Sequence, residues 1–454
     1  MDPFDTNEMK EKENRLLRKI DFKIVPFMLL LYLLSFLDRV NIGNAKLAHL
    51  ERDLGLVGSE FNWSLSIFFI GYVVFEIPSN LVLYKVRPSI WLPTIMIAWG
   101  ITMSLMAFVK SYAELLITRF FLGVFEAGLV PGIVYYITLW YRRYDQSFRM
   151  GVILSGSSIA GAFSGLLTYA IVSLTNDDSP LKGWQLIFLI DGLVTVIVAI
   201  IAYFYIADYP EEAKWLRKEE RSLAVLRLKR DIDGIEYKKA REHSFDKVYI
   251  VECLTDWKVY ISMLILLGIN TSVYSFAFYI PSIVNGFGFD EGKMSLRGPF
   301  IMSFASIATV GYIVILYSIN MNSMIVKYIA TCIIAIGASP CGVLTIIWLS
   351  NNLSPPLKCN IGVAMMISCG NCGGIIAAQI YRSVDYPNYE RGHIIASCFL
   401  LAAICLCAIQ YGTLIRLNEL KEEKKLSIKT SGYKGIEEDK KILSDRHYKF
   451  EYSL

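Results

Sequence analysis

Apolar runs of about 20 residues, the length a helix needs to cross a bilayer, recur along the whole chain with short polar connections between them. They are read at 25–46, 63–86, 89–110, 113–141, 147–174, 185–207, 257–286, 299–319, 324–350, 359–382 and 392–416. A backbone in hydrocarbon must satisfy its own hydrogen bonds, so runs of this length predict an all-α membrane protein. Composition agrees. The chain is 54% hydrophobic and 19% charged, whereas a soluble domain carries about 25% charge. The net charge of +4 decides little, because orientation follows Lys and Arg counted loop by loop.

Two of the runs contain charge. FLDRVNIGNA places Asp38 and Arg39 at the end of the first, and TRFFLGVFEAG places Arg119 and Glu126 inside the fourth. Charge at membrane depth costs a few kcal/mol per residue, so it is paired and commonly functional. Seven residues are two helical turns, so Arg119 and Glu126 share a face about 10 Å apart along the axis. That face can line a polar cavity while the opposite side stays apolar. A buried cation beside a buried carboxylate suits a proton-driven carrier of anions.

The basic connections assign the sides. Lys and Arg crowd the N-terminal tail, the second-to-third connection (Lys85, Arg87) and the fourth-to-fifth (Arg142, Arg143, Arg149). The connections between them are acidic or sparse in charge. Positive-inside therefore puts the N-terminus in the cytosol. The resulting division is a tail over 1–24, a six-helix bundle over 25–207, a charged cytosolic linker over 208–256, a second bundle over 257–416 and a cytosolic tail over 417–454, expected to be disordered beyond Lys424. The linker includes a predicted surface helix, EEAKWLRKEERSLAVLRLKR. Small residues in GSSIAGAFSG and CGNCGGIIA predict close helix packing. Cys369 and Cys372 have redox-motif spacing but fall in a predicted span, where packing is the expected role. Asn62-Trp63-Ser64 is a sequon too close to the second span to favour glycosylation. With four histidines, no metal-ligand cluster, no nucleophile triad and no phosphate loop, neither an enzyme, a metal site nor any other cofactor is expected, and nothing suggests nucleic acid.

At YLLSFLDRVNIGNAKL, FEIPSNLVLYKVRPSIWLP, RFFLGVFEAGLVPGIVYYITLWY, WLSNN and GGIIAAQIYRS the chain resembles the fungal allantoate permease family, its nicotinic acid permease branch above all. That family lies in the anion:cation symporter group of the major facilitator superfamily. The resemblance implies two pseudo-twofold-related helical bundles. It also implies a plasma-membrane monomer importing a small organic anion with protons, such as nicotinate, allantoate, a ureido-acid or another carboxylate vitamin. It assigns substrate carboxylate binding to Arg39 and Arg119, and proton coupling to Asp38 and Glu126. Asn41 joins the substrate set, as do the polar groups Asn270, Tyr274, Asn371 and Gln379 of the second half, which could hold the rest of the cargo. Glu76, Arg87 and Arg142 are read as gating or structural, with Glu76 expected on cytosolic-side arginines such as Arg142.

Each assignment has a structural alternative. Asp38–Arg39 could be a pair at a helix end, Arg119 an anchor for bundle packing and Glu126 a satisfied buried acid. Asp191 is read as structural, and intramembrane Asn and Gln also join helices. A non-transporting nutrient sensor on the same fold is the rival function.

One departure stands out. Eleven spans are read where the family has twelve. Arg297-Gly298-Pro299 matches the start of the ninth helix, leaving about ten residues after Gly286 where the eighth should be. The eighth helix is thus expected to be missing, through either a truncated, non-functional gene model or a divergent protein. Without it, the helices beyond Pro299 either invert or keep the family orientation.

Overall fold

The computed structural model describes residues 7–174, 181–231, 247–277, 297–321, 324–354, 356–381, 385, 388–431, 445 and 452–454. Every regular element among them is a helix. In chain order these are α1 (Asn7–Leu47), α2 (Glu60–Lys85), α3 (Pro88–Met106), α4 (Tyr112–Glu126), α5 (Leu129–Trp140), α6 (Arg143–Leu154), α7 (Gly156–Leu174), α8 (Gly183–Tyr205) and α9 (Lys218–Asp231). They continue with α10 (Lys247–Leu254), α11 (Trp257–Ala277), α12 (Arg297–Met321), α13 (Met324–Asn351), α14 (Pro356–Ile380) and α15 (Glu390–Ser431); a single turn, Leu50–Asp53, follows α1. Ten described segments are long and apolar enough to cross a membrane. The fifth expected span, 147–174, is described as two helices, α6 and α7, separated at Ser155. The fourth is also interrupted, where Ala127 and Gly128 separate α4 from α5. Pro131, lacking a backbone N–H, sits in the first turn of α5, where none is needed.

Local chemistry sets several boundaries. Pro88 opens α3 behind Arg87. Ser111 Oγ accepts from Glu114 N at 3.3 Å while Lys110 N donates back to Glu114 Oε2 at 2.6 Å, a reciprocal cap that starts α4. At α8, Lys182 N donates to Gln185 Oε1 at 2.9 Å.

The chain divides into two compact units. The first holds Met1–Leu56 and Pro78–Ser244; the second holds Val57–Ile77 and Phe245–Leu454. The partition falls within α2, so Val57–Ile77 departs from the expected 25–207 bundle. The side chains explain why. Asn62 Nδ2 donates to Tyr381 O (3.5 Å), Gln379 Nε2 to Ser66 Oγ (2.9 Å) and Ser368 Oγ to Glu76 Oε2 (2.8 Å), which ties this half of α2 to α14 and the residue after it. Asn62 is buried by the same contact, unlike an exposed glycosylation site.

In the first unit α1 runs beside α7 and α8, and α3 pairs closely with α8. A Cβ on Gly192 would lie 2.6 Å from Gly100 O, so only glycine permits that approach. The linker helix α9 is anchored rather than free. Arg227, buried, pairs with Glu13 at 2.7 Å and with Asp145, and Lys19 pairs with Glu220 at 2.7 Å. Arg149 forks onto Asp21 through two hydrogen bonds of 2.7 Å.

In the second unit helix direction can be read from contacts. Ser262 meets Gln410 at 3.3 Å, and Gly268 faces Phe399 and Ala403, so α11 and α15 are antiparallel. Gly298 faces Tyr411 while Tyr312 packs on His393, so α12 is antiparallel to α15 as well. Gly337 opposes Phe304 and Ala308, which sets α13 against α12. On α14, Gly362 faces Val259 and Gly373 meets Leu267 O and Thr271 N, so α14 runs with α11. α11, α12 and α14 therefore run one way, α13 and α15 the other. The helices beyond Pro299 keep the direction expected without inversion. Residues 278–296 join the end of α11 to the start of α12, at opposite ends of the unit. The expected absence of an eighth span lies there, outside the described residues.

The tail also differs from expectation. α15 continues as helix to Ser431, past Lys424, and Asp445 and Tyr452–Leu454 are packed against the second unit. All nine cysteines are free thiols. Cys372 Sγ contacts Ser368 O at 3.6 Å within its own helix, in keeping with a packing role.

Candidate functional site

The charged residues expected at depth gather in the first unit. Asp38 and Glu126 are fully buried, Arg119 is 1% exposed and Arg39 6%. Arg39 Nε reaches Glu126 Oε1 at 2.6 Å, and Ser35 Oγ, one turn earlier on α1, donates to the same oxygen at 2.6 Å. α1 and α4 are thereby joined through one carboxylate oxygen. Glu126 Oε2 has no hydrogen-bond partner among the described residues.

Arg119 is placed differently. Its guanidinium lies 5.8 Å from the ring centroid of Phe188 on α8, and Asp38 and Glu126 are close enough to act on it electrostatically. Yet Nε and Nη2 make no hydrogen bond among the described residues. Both oxygens of Asp38 also lack one, although Asp191 and the Trp99 indole lie next to this carboxylate. A buried charge normally has its donors and acceptors engaged. Here unengaged groups of opposite charge type lie close together in the interior of the first unit.

Behind them lies a fully engaged layer. Asn41 Nδ2 donates to Asp191 Oδ2, Ser164 Oγ donates to Asn41 Oδ1 at 2.8 Å, and Asn44 Nδ2 reaches the same oxygen at 3.3 Å and also bonds Ser164. This ties α1 to α7 and α8. The amide of Asn41 is thus occupied by protein partners, a positioning geometry. Ser35, Asn44 and Ser164 escape a sequence reading. A polar residue one turn from Asp38–Arg39 was the available signal for Ser35; nothing local marks Ser164.

Of the gating group, Arg87 pairs with Glu212 at 3.0 Å and lies 3.8 Å from Asp208, which also caps α3 through Ser89 N at 2.8 Å. Arg142 pairs with Glu13. Glu76, in the second unit, accepts from Ser368.

The second-unit candidates do not form one cluster. Tyr274 Oη donates to Asn371 Oδ1 at 2.8 Å, joining α11 to α14, and Phe69 packs on the Tyr274 ring at 5.0 Å. Asn270 is half-buried against Gly370, where a Cβ would come within 3.0 Å of its Nδ2. Gln379 is held by Ser66 two turns further along α14.

Comparison with known proteins fits this arrangement of helices. The family model described as Major Facilitator Superfamily matches residues 28–409. A fungal protein described as an MFS transporter, from strain NRRL 50135, is 31% identical over 94% of this chain and 90% of its own length. An uncharacterised transporter of Schizosaccharomyces pombe is 32% identical over 90% of this chain and 84% of its own. A provisionally named tartrate transporter of Agrobacterium vitis is 35% identical over 67% of this chain and 65% of its own. Among solved structures, the proton:xylose symporter XylE superposes with a TM-score of 0.64 at 11% identity, over 87% of this chain and 96% of its own, a likeness of fold alone.

Proposed function

We propose that this chain, which belongs to the Major Facilitator Superfamily and is a multi-pass secondary transporter, imports a small organic anion together with protons by alternating access. The observation that carries this reading is Arg119, a buried guanidinium whose Nε and Nη2 have no protein acceptor among the described residues. A carboxylate is the ligand that such a planar fork accepts best, through two parallel charge-assisted bonds. The relative provisionally named for tartrate, a dicarboxylate, is consistent with an anionic cargo.

The coupling follows from charge balance. Asp38, Glu126 and Asp191 are three carboxylates against the guanidiniums of Arg39 and Arg119, so this group is neutral only with one proton on board. An anion arriving at Arg119 adds a negative charge and calls for a further proton. Arg39 is already held by Glu126, so an incoming carboxylate that draws Arg39 away releases Glu126 to take that proton. Glu126 is then the switch and Asp38 the second acid, with no covalent step. Plasma-membrane import with a cytosolic N-terminus and a monomeric carrier completes the reading.

The test is uptake by a transport-deficient yeast of radiolabelled nicotinate, allantoate, pantothenate and tartrate at several external pH values. At least one anion should accumulate, faster at acid pH, and the Arg119→Ala protein should reach the membrane without accumulating it. Uptake of none, with ligand-dependent signalling intact, would favour the nutrient sensor. Unchanged uptake in Arg119→Ala would sink the anion site.

A further inference from the structure

At the end of the second unit where α11 begins lies a second buried charge cluster. Asp445 is fully buried there. Lys358 Nζ reaches Asp445 Oδ1 at 2.6 Å and Asp256 Oδ2 at 2.7 Å, and Lys258 pairs with Asp445 and lies 3.5 Å from Asp256. Two ammonium groups thus face two carboxylates, one of which comes from beyond α15.

The residues after Asp445 that the structure describes bind the same end. Ser453 is held like a strand edge: Trp348 Nε1 and Asn352 Nδ2 donate to its carbonyl at 2.9 and 3.0 Å, and its N–H donates to Asn352 Oδ1 at 2.8 Å. Tyr452 exchanges two 2.9 Å bonds with the Asn418 amide. Its ring is 6% exposed, with Lys421 Nζ 3.6 Å and Lys258 Nζ 4.4 Å from the centroid. Arg297 N, at the start of α12, donates to Leu454 O at 2.6 Å.

These contacts reach every helix from α11 to α15: Lys258 on α11, Arg297 on α12, Trp348 on α13, Lys358 on α14, Asn418 and Lys421 on α15. We infer that the converging ends of α11–α15 form a peptide-docking site whose occupants are this chain's own Asp445 and Tyr452–Leu454, a clasp that holds the five helix ends together. Three observations point to this occupant. Its carboxylate balances an otherwise cationic pair, its backbone groups are matched by side chains from separate helices, and its aromatic ring has two ammonium groups within 4.4 Å of its centroid. Without the segment, Lys258 and Lys358 would share one carboxylate in a buried site, and Trp348 and Asn352 would lose their acceptor.

The test uses purified protein in detergent and needs no cargo, so it stands apart from the transport reading. A chain stopped after Lys440 should melt about 5 °C or more below the full chain. A synthetic peptide of residues 441–454 should restore the midpoint saturably, whereas the same peptide carrying Asp445→Asn and Tyr452→Ala should not. A shortened chain that melts like the full one and ignores the peptide overturns the clasp. Should the shortened chain fail to accumulate, the full chain decides. Asp445→Lys should lower the midpoint, and adding Lys358→Asp should recover at least half of the loss; no recovery also overturns it.

Discussion

Two buried charge clusters, one in each unit, differ in how completely they are satisfied. Around Asp445 each lysine contacts two carboxylates, charges match two against two, and flanking polar groups are bonded to Tyr452 and Ser453, while Asp256 Oδ2 is held by ion pairs without a hydrogen bond among the described residues. Around Arg119, three carboxylates face two guanidiniums, and Asp38, Glu126 and Arg119 each keep buried atoms without hydrogen bonds among the described residues. Desolvating a charge costs several kcal/mol, and only good geometry offsets it. A satisfied cluster answers that cost within the protein and reads as structure. An unsatisfied one leaves the cost to be offset by something that comes and goes. On the proposed reading the difference between the two is one between a joint and a binding site, and it yields opposite expectations for mutants.

The largest effect should come from Arg119→Ala. Removing one partner of a buried charge-assisted contact costs about 2–5 kcal/mol, so cargo uptake should fall more than about 30-fold while the melting midpoint barely moves. Arg119→Lys should recover little, since an ammonium lacks the planar fork. Lys358→Met should do the reverse, lowering stability by about 3–5 kcal/mol in thermal unfolding, with transport of surviving protein much less affected. Equal losses of stability in both mutants would erase the contrast.

Glu126→Gln should abolish accumulation yet leave counterflow exchange, because the amide mimics the protonated acid. Accumulation that still follows the proton gradient would move the coupling role to Asp38. Acid should separate the clusters next. Burial disfavours the charged form of Asp445, but Lys258 and Lys358 outweigh it and hold its carboxyl below the usual range. Burial likewise opposes the Lys358 ammonium, but Asp445 and Asp256 win and raise it. The Asp445 contribution is thus complete above the ordinary carboxylate value of about 4 and is lost as pH falls through the depressed one. The Lys358 contribution is complete below about 10.4 and is lost as pH rises through the raised value. Melting midpoints of the full chain should hold steady between these limits and fall in acid, with a shallower acid fall in Asp445→Asn. The smallest effect belongs to Tyr274→Phe. It removes one hydrogen bond to Asn371, worth about 0.5–1.5 kcal/mol, and should change half-saturation for cargo by a few-fold.

Much of this was legible in the chain. Asp38, Arg39, Arg119 and Glu126 were visible because charge inside a long apolar run is conspicuous whatever its neighbours, and all four gather in the interior of the first unit. Asp191 was also visible, but as a structural acid; its place beside Asp38 and its hold on Asn41 depend on how α8 lies along α1. The joint at Asp445 was invisible. Lys258, Lys358 and Asp256 sit at span ends, where charge is ordinary, and Asp445 sits in a segment whose mixed charge suggested disorder.

Hydropathy alone settled the class of fold, the approximate spans and the residues whose burial needs explaining, because transfer into a bilayer depends on each segment's own composition. Three things needed the tertiary structure: the division of α2 at Pro78, the break at Ser155, and which buried charges are answered by neighbours. Hydrogen bonds reach about 3 Å and join residues as distant in sequence as Lys358 and Asp445 or Ser66 and Gln379. Whether a buried charge is a joint or a site depends on such partners, and only the packing of the helices decides which partners it meets.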